Sequence, residues 1–252
     1  MSFQTRKAKI LQVLDDRSTI EVRDLATLLD LSDMTIRRDL NALAQQGLIV
    51  RTHGGAMLPS FGNRPVSFVE KAIQHREAKE QIAQLAASEI ADGDVIFMDC
   101  GSTVFALCPF IRHKPITVIT NSLPIIAELI TSKVTLNLIG GEVDKNRQAA
   151  HGLTAESHIA RYRADKAFIG VDGVSMANGL SANGEIEAAH TLALMRQSTQ
   201  VYLLCDSTKL EQDRYLQFAP LSAVNVLITN QEADRSVLKQ YEEAGVRVVS
   251  EG

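Results

Sequence analysis

Nowhere in these 252 residues does an apolar run approach the roughly 18 residues that a membrane-spanning helix needs. The start of the chain, Met1 to Ile10, is charged and polar and lacks the apolar stretch of a secretory signal, so no export is expected. Cysteine is scarce: Cys100, Cys108 and Cys205 make neither an even disulfide framework nor a CxxC pair. Each sits in apolar surroundings, where a reduced, buried thiol is expected. No cluster of histidine and cysteine has metal-ligand spacing, so neither a metal nor another cofactor is expected. These absences point to a cytoplasmic chain with no membrane segment.

A surplus of basic charge is also lacking, since the net charge is −4. The total hides an asymmetry. Residues 1–58 hold eight basic and seven acidic side chains, a net of +1, which leaves −5 for the rest. A net of +1 does not make a basic domain, so any contact with nucleic acid must come from where the charges sit.

What is present is an ordinary globular composition, 45% apolar and 22% charged, in a chain long enough for two domains. Ile10, Leu11 and Leu14 repeat at helical spacing, and Val22, Leu25 and Leu28/Leu29 predict a short second helix. Asp30-Leu31-Ser32 is a tight connection, with Ser32 an N-cap for a third helix from Asp33 to about Gln46 and Gly47 at its end. Leu48–Val50 and Ala56–Leu58 read as strands flanking the turn His53-Gly54-Gly55. Three helices and a hairpin over residues 1–58 predict a winged helix-turn-helix. Residues 59–67, with two prolines and a glycine, have linker composition.

From residue 68 onward a long amphipathic helix is expected over Phe68–Ile90. Seven β-branched runs follow: Val95–Met98, Ile116–Ile119, Val134–Ile139, Lys166–Val171, Val201–Cys205, Val224–Ile228 and Val246–Val249. Helical stretches such as Pro124–Ile130, Glu185–Gln197 and Glu232–Ala244 lie between them. That alternation predicts an α/β domain with a largely parallel sheet over residues 68–252. There is no internal repeat and no low-complexity tract.

On a helical wheel, Ile36, Leu40 and Leu43 share one face of the third helix and must point to the core. Met34, Arg38, Asn41 and Gln45 fall opposite, flanked by Thr35 and Arg37. A helix lying in a major groove needs this division. Arginine takes guanine with two hydrogen bonds, and asparagine takes adenine in the same way. Ser32, Thr35, Arg51 and His53 suit phosphate contacts. Arg37 and Arg38 by themselves would be a solvated face; their place on the second helix of a tight pair, ahead of a hairpin, favours DNA. Asp39 lies toward the core edge and is expected to pair within the domain.

The run Leu31-Ser32-Asp33-Met34-Thr35-Ile36-Arg37-Arg38-Asp39-Leu40, then Gln46-Gly47, then Arg51-Thr52-His53-Gly54-Gly55-Ala56, resembles the helix-turn-helix signature of the DeoR family of sugar-catabolism regulators. The resemblance covers nearly the whole chain. It implies a second domain folded like the ribose-phosphate isomerases and binding a phosphorylated sugar.

Five expected strands end in polar or glycine-rich loops: Asp99-Cys100-Gly101-Ser102-Thr103, Thr120-Asn121-Ser122, Gly140-Gly141-Glu142, Gly170-Val171-Asp172-Gly173 and Asp206-Ser207-Thr208-Lys209. In a parallel sheet they gather at the carboxyl edge, where open α/β sheets bind ligands. Gly101-Ser102-Thr103 opening a helix offers free N–H groups and hydroxyls to an anion, although alone it would be an ordinary N-cap. Carried over from the resemblance, Asp99, Gly101, Ser102 and Thr103 form the first ligand loop with Thr120, Asn121 and Ser122 opposite. Asp172, Glu185 and Lys209 approach the sugar, while Lys209 read alone is as well a solvated loop lysine. The chain departs from the family pattern in Asp144, where an arginine is frequent after Gly-Gly, in Thr208-Lys209-Leu210-Glu211, and near Leu192, where a lysine is frequent. With less positive charge, the effectors to expect extend to a free sugar, a sugar acid or a singly anchored phosphate.

The expected function is a transcriptional regulator, a repressor of a carbohydrate operon with a double-stranded DNA operator and a sugar-phosphate or related effector as partners. A homodimer or homotetramer is expected, because one winged helix offers too small a contact for tight specific binding. The competing reading is a sugar-phosphate isomerase with an accessory DNA-binding domain, using Asp99, Asp172, Glu185 and Lys209 for acid–base work. A DNA-architectural protein is a third, which leaves the five loops unexplained.

Overall fold

The computed structural model describes residues 3–17, 19–45, 48–51, 54–57 and 68–250. The chain divides into two compact units, Met1–Arg64 and Pro65–Gly252. The first runs α1 (Phe3–Arg17), β1 (Thr19–Glu21), α2 (Val22–Leu29), α3 (Asp33–Gln45), β2 (Val50–Arg51) and β3 (Gly55–Met57). The helical apolar spacing closes on one core: Ile10 and Leu14 from α1, Val22, Leu25 and Leu29 from α2, and Ile36, Leu40 and Leu43 from α3, with Ile20, Ile49 and Ala56 below them. Asp30 takes a left-handed conformation (φ 53°) that ends α2, and the Leu31 N–H donates to the Ala26 carbonyl at 3.0 Å. The chain thus turns into α3 within three residues. The expected hairpin gains a strand, since β1 completes an antiparallel sheet in the order β1-β3-β2. Gly55 permits this, because a Cβ there would overlap the Ile20 carbonyl of β1. Gly47, His53, Leu58 and the 59–67 segment lie outside the described residues.

The second unit begins with α4 (Phe68–Ile73) and α5 (Arg76–Ser88). It continues through β4 (Val95–Met98), α6 (Ser102–Phe105), α7 (Cys108–Ile111), β5 (Thr117–Thr120), α8 (Leu123–Leu129) and β6 (Thr135–Leu138). Next come β7 (Glu142–Asp144), β8 (Ala149–His151), α9 (Leu153–Ile159), β9 (Ala164–Ile169), β10 (Gly173–Ser175), β11 (Gly179–Ala182) and α10 (Glu185–Arg196). The last elements are β12 (Ser198–Leu204), β13 (Leu216–Ala219), β14 (Val226–Ile228), α11 (Arg235–Glu243) and β15 (Arg247–Val249).

The seven runs read as strands form one sheet in the order β15-β14-β12-β9-β4-β5-β6. Every neighbouring pair in it is parallel. Both faces are covered. Within β4, Phe97 enters one core while Ile96 and Met98 enter the other. The chain leaves β4 toward β5 and β6, then returns to β9 on the other side of β4. The strand order therefore reverses between β4 and β9, and it is at the carboxyl ends beside such a reversal that sheets of this kind place ligands.

Two features differ from expectation. The single helix over 68–90 is two helices, because His75 sits at φ 50°. Lys79 is buried and its ammonium donates to the carbonyls of Lys71 and Gln74, tying off the end of α4. Ile73, expected in the apolar stripe, is exposed. The second difference is a small antiparallel sheet, β10-β11-β13, and the hairpin β7–β8, which cover the carboxyl edge. Among the described residues no helix is long and apolar enough to cross a membrane, and no group of three histidine, cysteine or acidic side chains is placed to hold a metal ion.

Candidate DNA-reading face and ligand-sensing edge

The inner apolar stripe of α3 is enclosed, and most of the opposite face is outside. Ile36, Leu40 and Leu43 are fully buried, whereas Met34 is 81% exposed. Arg37, Arg38 and Asn41 are exposed and Thr35 is half-buried. Ser32 caps the helix: its Oγ accepts from the Thr35 N–H at 3.3 Å and lies 2.9 Å from the Thr35 hydroxyl. Asp39 is buried and is held by the Arg6 guanidinium through two bonds, of 2.5 and 2.9 Å. That contact locks α1 against α3 and removes Asp39 from any outside role. Arg51 lies in β2.

At the sheet edge the structure brings most of the expected residues together, and it assigns several of them to structural hydrogen bonds. Asp99 is buried and accepts from the Cys100 N–H at 2.7 Å and the Thr191 hydroxyl at 3.3 Å. Gly101 precedes α6, with Ser102 buried and Thr103 half-buried at its first turn. A side chain at Gly101 would meet the Cα of Gly170 at 3.8 Å, so the loops after β4 and β9 lie side by side. Thr120, Asn121 and Ser122 are fully buried. The Thr120 hydroxyl accepts from the Ser122 N–H at 3.1 Å, Ser122 caps α8 through the Ile125 N–H at 3.4 Å, and Asn121 donates to the Ala150 carbonyl at 2.9 Å. Gly140 and Gly141 are exposed at the backbone level, and a Cβ on Gly141 would overlap the His151 carbonyl.

Asp172 is the electrostatic hub. Lys71 on α4 donates to its Oδ1 at 2.7 Å, the Asn183 N–H to its Oδ2 at 3.1 Å, and Arg147 stands 4.0 Å away. Burial pushes this carboxyl upward, but the charge and hydrogen bond of Lys71, with Arg147 and Lys209, outweigh it and hold the group at about 2. Arg147 also pairs with Glu187. Asp144, the departure from the family pattern, accepts from the N–H groups of Asn146 at 2.8 Å and Arg147 at 3.1 Å. The turn it makes delivers Arg147 inward, so the positive charge missing at position 144 returns three residues later. Glu185 is exposed at the first turn of α10 and is not brought into the cluster; Glu187 supplies the inward carboxylate. Lys209 is half-buried and has no ion pair among the described residues.

Lys71, Glu187, His151 and His190 were not legible as site residues. His151 and His190 are buried, with rings edge to face at 5.1 Å. Burial lowers both imidazoles below the usual range, His190 to about 4, against the opposing pull of Asp99. A histidine on the inner face of α10, among Ala188, Thr191, Leu194 and Met195, was the one available signal. All three cysteines are free and buried.

Residues 6–61 match the DeoR-like helix-turn-helix domain, and residues 74–231 match the DeoR C terminal sensor domain. The chain belongs to the DeoR family. It is similar to an HTH-type transcriptional regulator, GlpR, of Haloferax volcanii, with 33% identity over 97% of this chain and 96% of that one. To the HTH-type transcriptional repressor GlcR of Bacillus subtilis it is 32% identical over 99% of this chain and 96% of the other. To the lactose phosphotransferase system repressor of Staphylococcus epidermidis it is 34% identical over 99% of this chain and all of that relative. Among solved structures, ribose 5-phosphate isomerase A from Methanocaldococcus jannaschii overlaps 54% of this chain and 55% of its own, at 20% identity and a TM-score of 0.40. Like its family, this chain is a DNA-binding transcriptional regulator.

Proposed function

We propose that the chain is a repressor of a carbohydrate operon, that α3 reads the operator, and that the carboxyl edge of the seven-stranded sheet binds a sugar phosphate or related sugar metabolite. On this reading residues 1–58 bind DNA, 59–67 link, and 68–252 sense the effector and assemble the oligomer. The observation that carries it is the division of α3: every apolar side chain of its inner stripe is in the core, while Met34, Arg37, Arg38 and Asn41 face out beyond a capped N-terminus. Arg37, Arg38 and Asn41 take base edges and Met34 packs against them. Ser32, Thr35, Arg51 and His53 serve the backbone phosphates. At the other site Gly101, Ser102 and Thr103 face the anionic group and Lys209 adds charge. The name of one relative, the lactose phosphotransferase system repressor, supports a sugar-derived effector.

The isomerase reading loses support from the geometry. Of its proposed acid–base groups, Asp172 is locked in an ion pair with Lys71 and Glu185 faces outward. Fold likeness does not carry chemistry with it. The test is selection from a pool of random duplex DNA by the full chain, together with light scattering. Enrichment of a motif repeated as half-sites, bound by a dimer or tetramer, is expected. Retention of DNA with no enriched motif, or turnover of ribose 5-phosphate to its ketose, would overturn the reading.

A further inference from the structure

Among the described residues eight buried side-chain polar atoms have no hydrogen-bond partner. Six of them belong to four residues: Asn121 Oδ1, Arg147 Nε, and both ring nitrogens of His151 and of His190. These residues are neighbours. Asn121 holds the Ala150 carbonyl, next to His151. The two rings touch edge to face. Thr191, the residue after His190, holds Asp99, and the Asp99 charge acts on both rings and on Arg147. Buried polar groups are almost always paired, and an unpaired one costs free energy until something meets it. A concentration of such atoms at the strand-order reversal of an α/β sheet marks a surface built for a ligand.

The chemistry of the set says which part of a ligand fits. A neutral imidazole offers one donor and one acceptor, Arg147 Nε adds a donor and Asn121 Oδ1 an acceptor, so the wall presents three of each. A phosphate or carboxylate only accepts, so half of this wall would repel it, and the Asp99 carboxylate beside it would do the same. A hydroxyl group both donates and accepts. We propose that His151 and His190 are the specificity-determining pair of the effector site and hydrogen-bond the uncharged hydroxyls of a sugar or polyol chain, leaving its anionic group to Lys209 and the Gly101–Thr103 loop. This rests on placing the effector at the carboxyl edge. The lowered basicity of both imidazoles agrees, since it keeps each ring neutral and two-sided at ordinary pH.

The test uses the full chain and a panel of ribose 5-phosphate, sorbitol 6-phosphate, 6-phosphogluconate, gluconate, sorbitol and inorganic phosphate, read by thermal shift and titration calorimetry. The wild type responds to at least one hydroxyl-bearing probe more strongly than to inorganic phosphate. His190→Phe weakens that response about tenfold or more, leaves the response to inorganic phosphate unchanged, and melts no lower than the wild type without a probe. His190→Gln, which keeps a donor and an acceptor, retains more of the response than His190→Phe. His151→Val carries the same comparison without asking the core for extra volume. Equal responses in all these variants, or a wild type that prefers inorganic phosphate, overturn the proposal. If Ser102→Ala and Lys209→Ala weaken binding while the histidine variants do not, only the hydroxyl wall falls. If neither Ser102→Ala nor Lys209→Ala changes any response, the placement of the effector site falls with it.

Discussion

The two units of the chain treat polar side chains in opposite ways. In the N-terminal unit Ser32, Met34, Arg37, Arg38 and Asn41 are exposed, and the one inward carboxylate of α3, Asp39, is neutralised by Arg6. In the sensor unit the chemistry is inside: Asp99, Asn121, His151, Asp172 and His190 are all buried. On the proposed function, the difference follows from the ligand. A duplex is met by a surface that costs little to display, whereas a small polar molecule is bound by enclosing it, with polar groups held ready in a low-dielectric setting. Substitutions of exposed polar groups should therefore cost function but little stability in the first unit, whereas in the second, removing a group that is paired inside, such as Asp172, should cost stability as well.

The sharpest break of that comparison is Asp172→Ala. Removing the carboxylate leaves Lys71 and Arg147 facing each other half-buried, and losing one partner of such a pair costs about 3–5 kcal/mol. The melting temperature of the sensor unit should fall by roughly 6–20 °C, measured by calorimetry. A change of a degree or less would show that the cluster is solvent-screened rather than enclosed.

Next in size is acid sensitivity. An unfolded histidine titrates near 6.5, whereas burial holds His190 at about 4. Between those values the unfolded chain binds a proton that the folded chain refuses, so stability is present above about pH 6.5 and is lost as pH falls toward 4. The loss is on the order of 3 kcal/mol. Asp99 and His151 face the same ring. Asp172, held at about 2, contributes only at lower pH, and Glu187, whose carboxyl burial raises, acts in the opposite direction. The difference between wild type and His190→Phe isolates the effect: chemical denaturation at pH 7 and pH 5 should show the wild type losing more than the variant. Parallel losses would place His190 in contact with solvent.

The smallest effect belongs to the N-terminal unit. Ser32→Ala removes the cap of α3 and should lower the stability of the N-terminal unit by about 1 kcal/mol, read from its denaturant midpoint. A cost of several kcal/mol would mean that this hydroxyl does more than cap.

The same contrast explains what the sequence revealed. The two faces of α3 were legible residue by residue, because the period of 3.6 sorts Ile36, Leu40 and Leu43 from Arg38 and Asn41 without knowledge of any other segment. All seven sheet strands were legible from β-branched runs, since strands buried on both faces read as continuous apolar stretches. The strand order was not, and with it the position of the reversal between β4 and β9. The small sheet of Gly173–Ser175, Gly179–Ala182 and Leu216–Ala219 escaped because its first two strands are short and rich in glycine and serine. Lys71 was counted into an amphipathic helix, and nothing local tells that a residue 101 positions away from Asp172 will pair with it. Glu185 came from the family resemblance, which does not disclose the rotation of α10; packing fixes that rotation and turns Glu187 inward instead.

The central claim is that α3 reads bases, and it is tested most directly by fluorescence anisotropy on the motif recovered by selection, comparing wild type with Arg37→Ala and Arg38→Ala over a range of salt. Each variant should bind about 1–3 kcal/mol more weakly, with relaxed preference at one base position where the lost contact was to a base. A phosphate contact would instead lower the salt slope by about one. Both variants binding with the affinity, base preference and salt slope of the wild type would contradict the account.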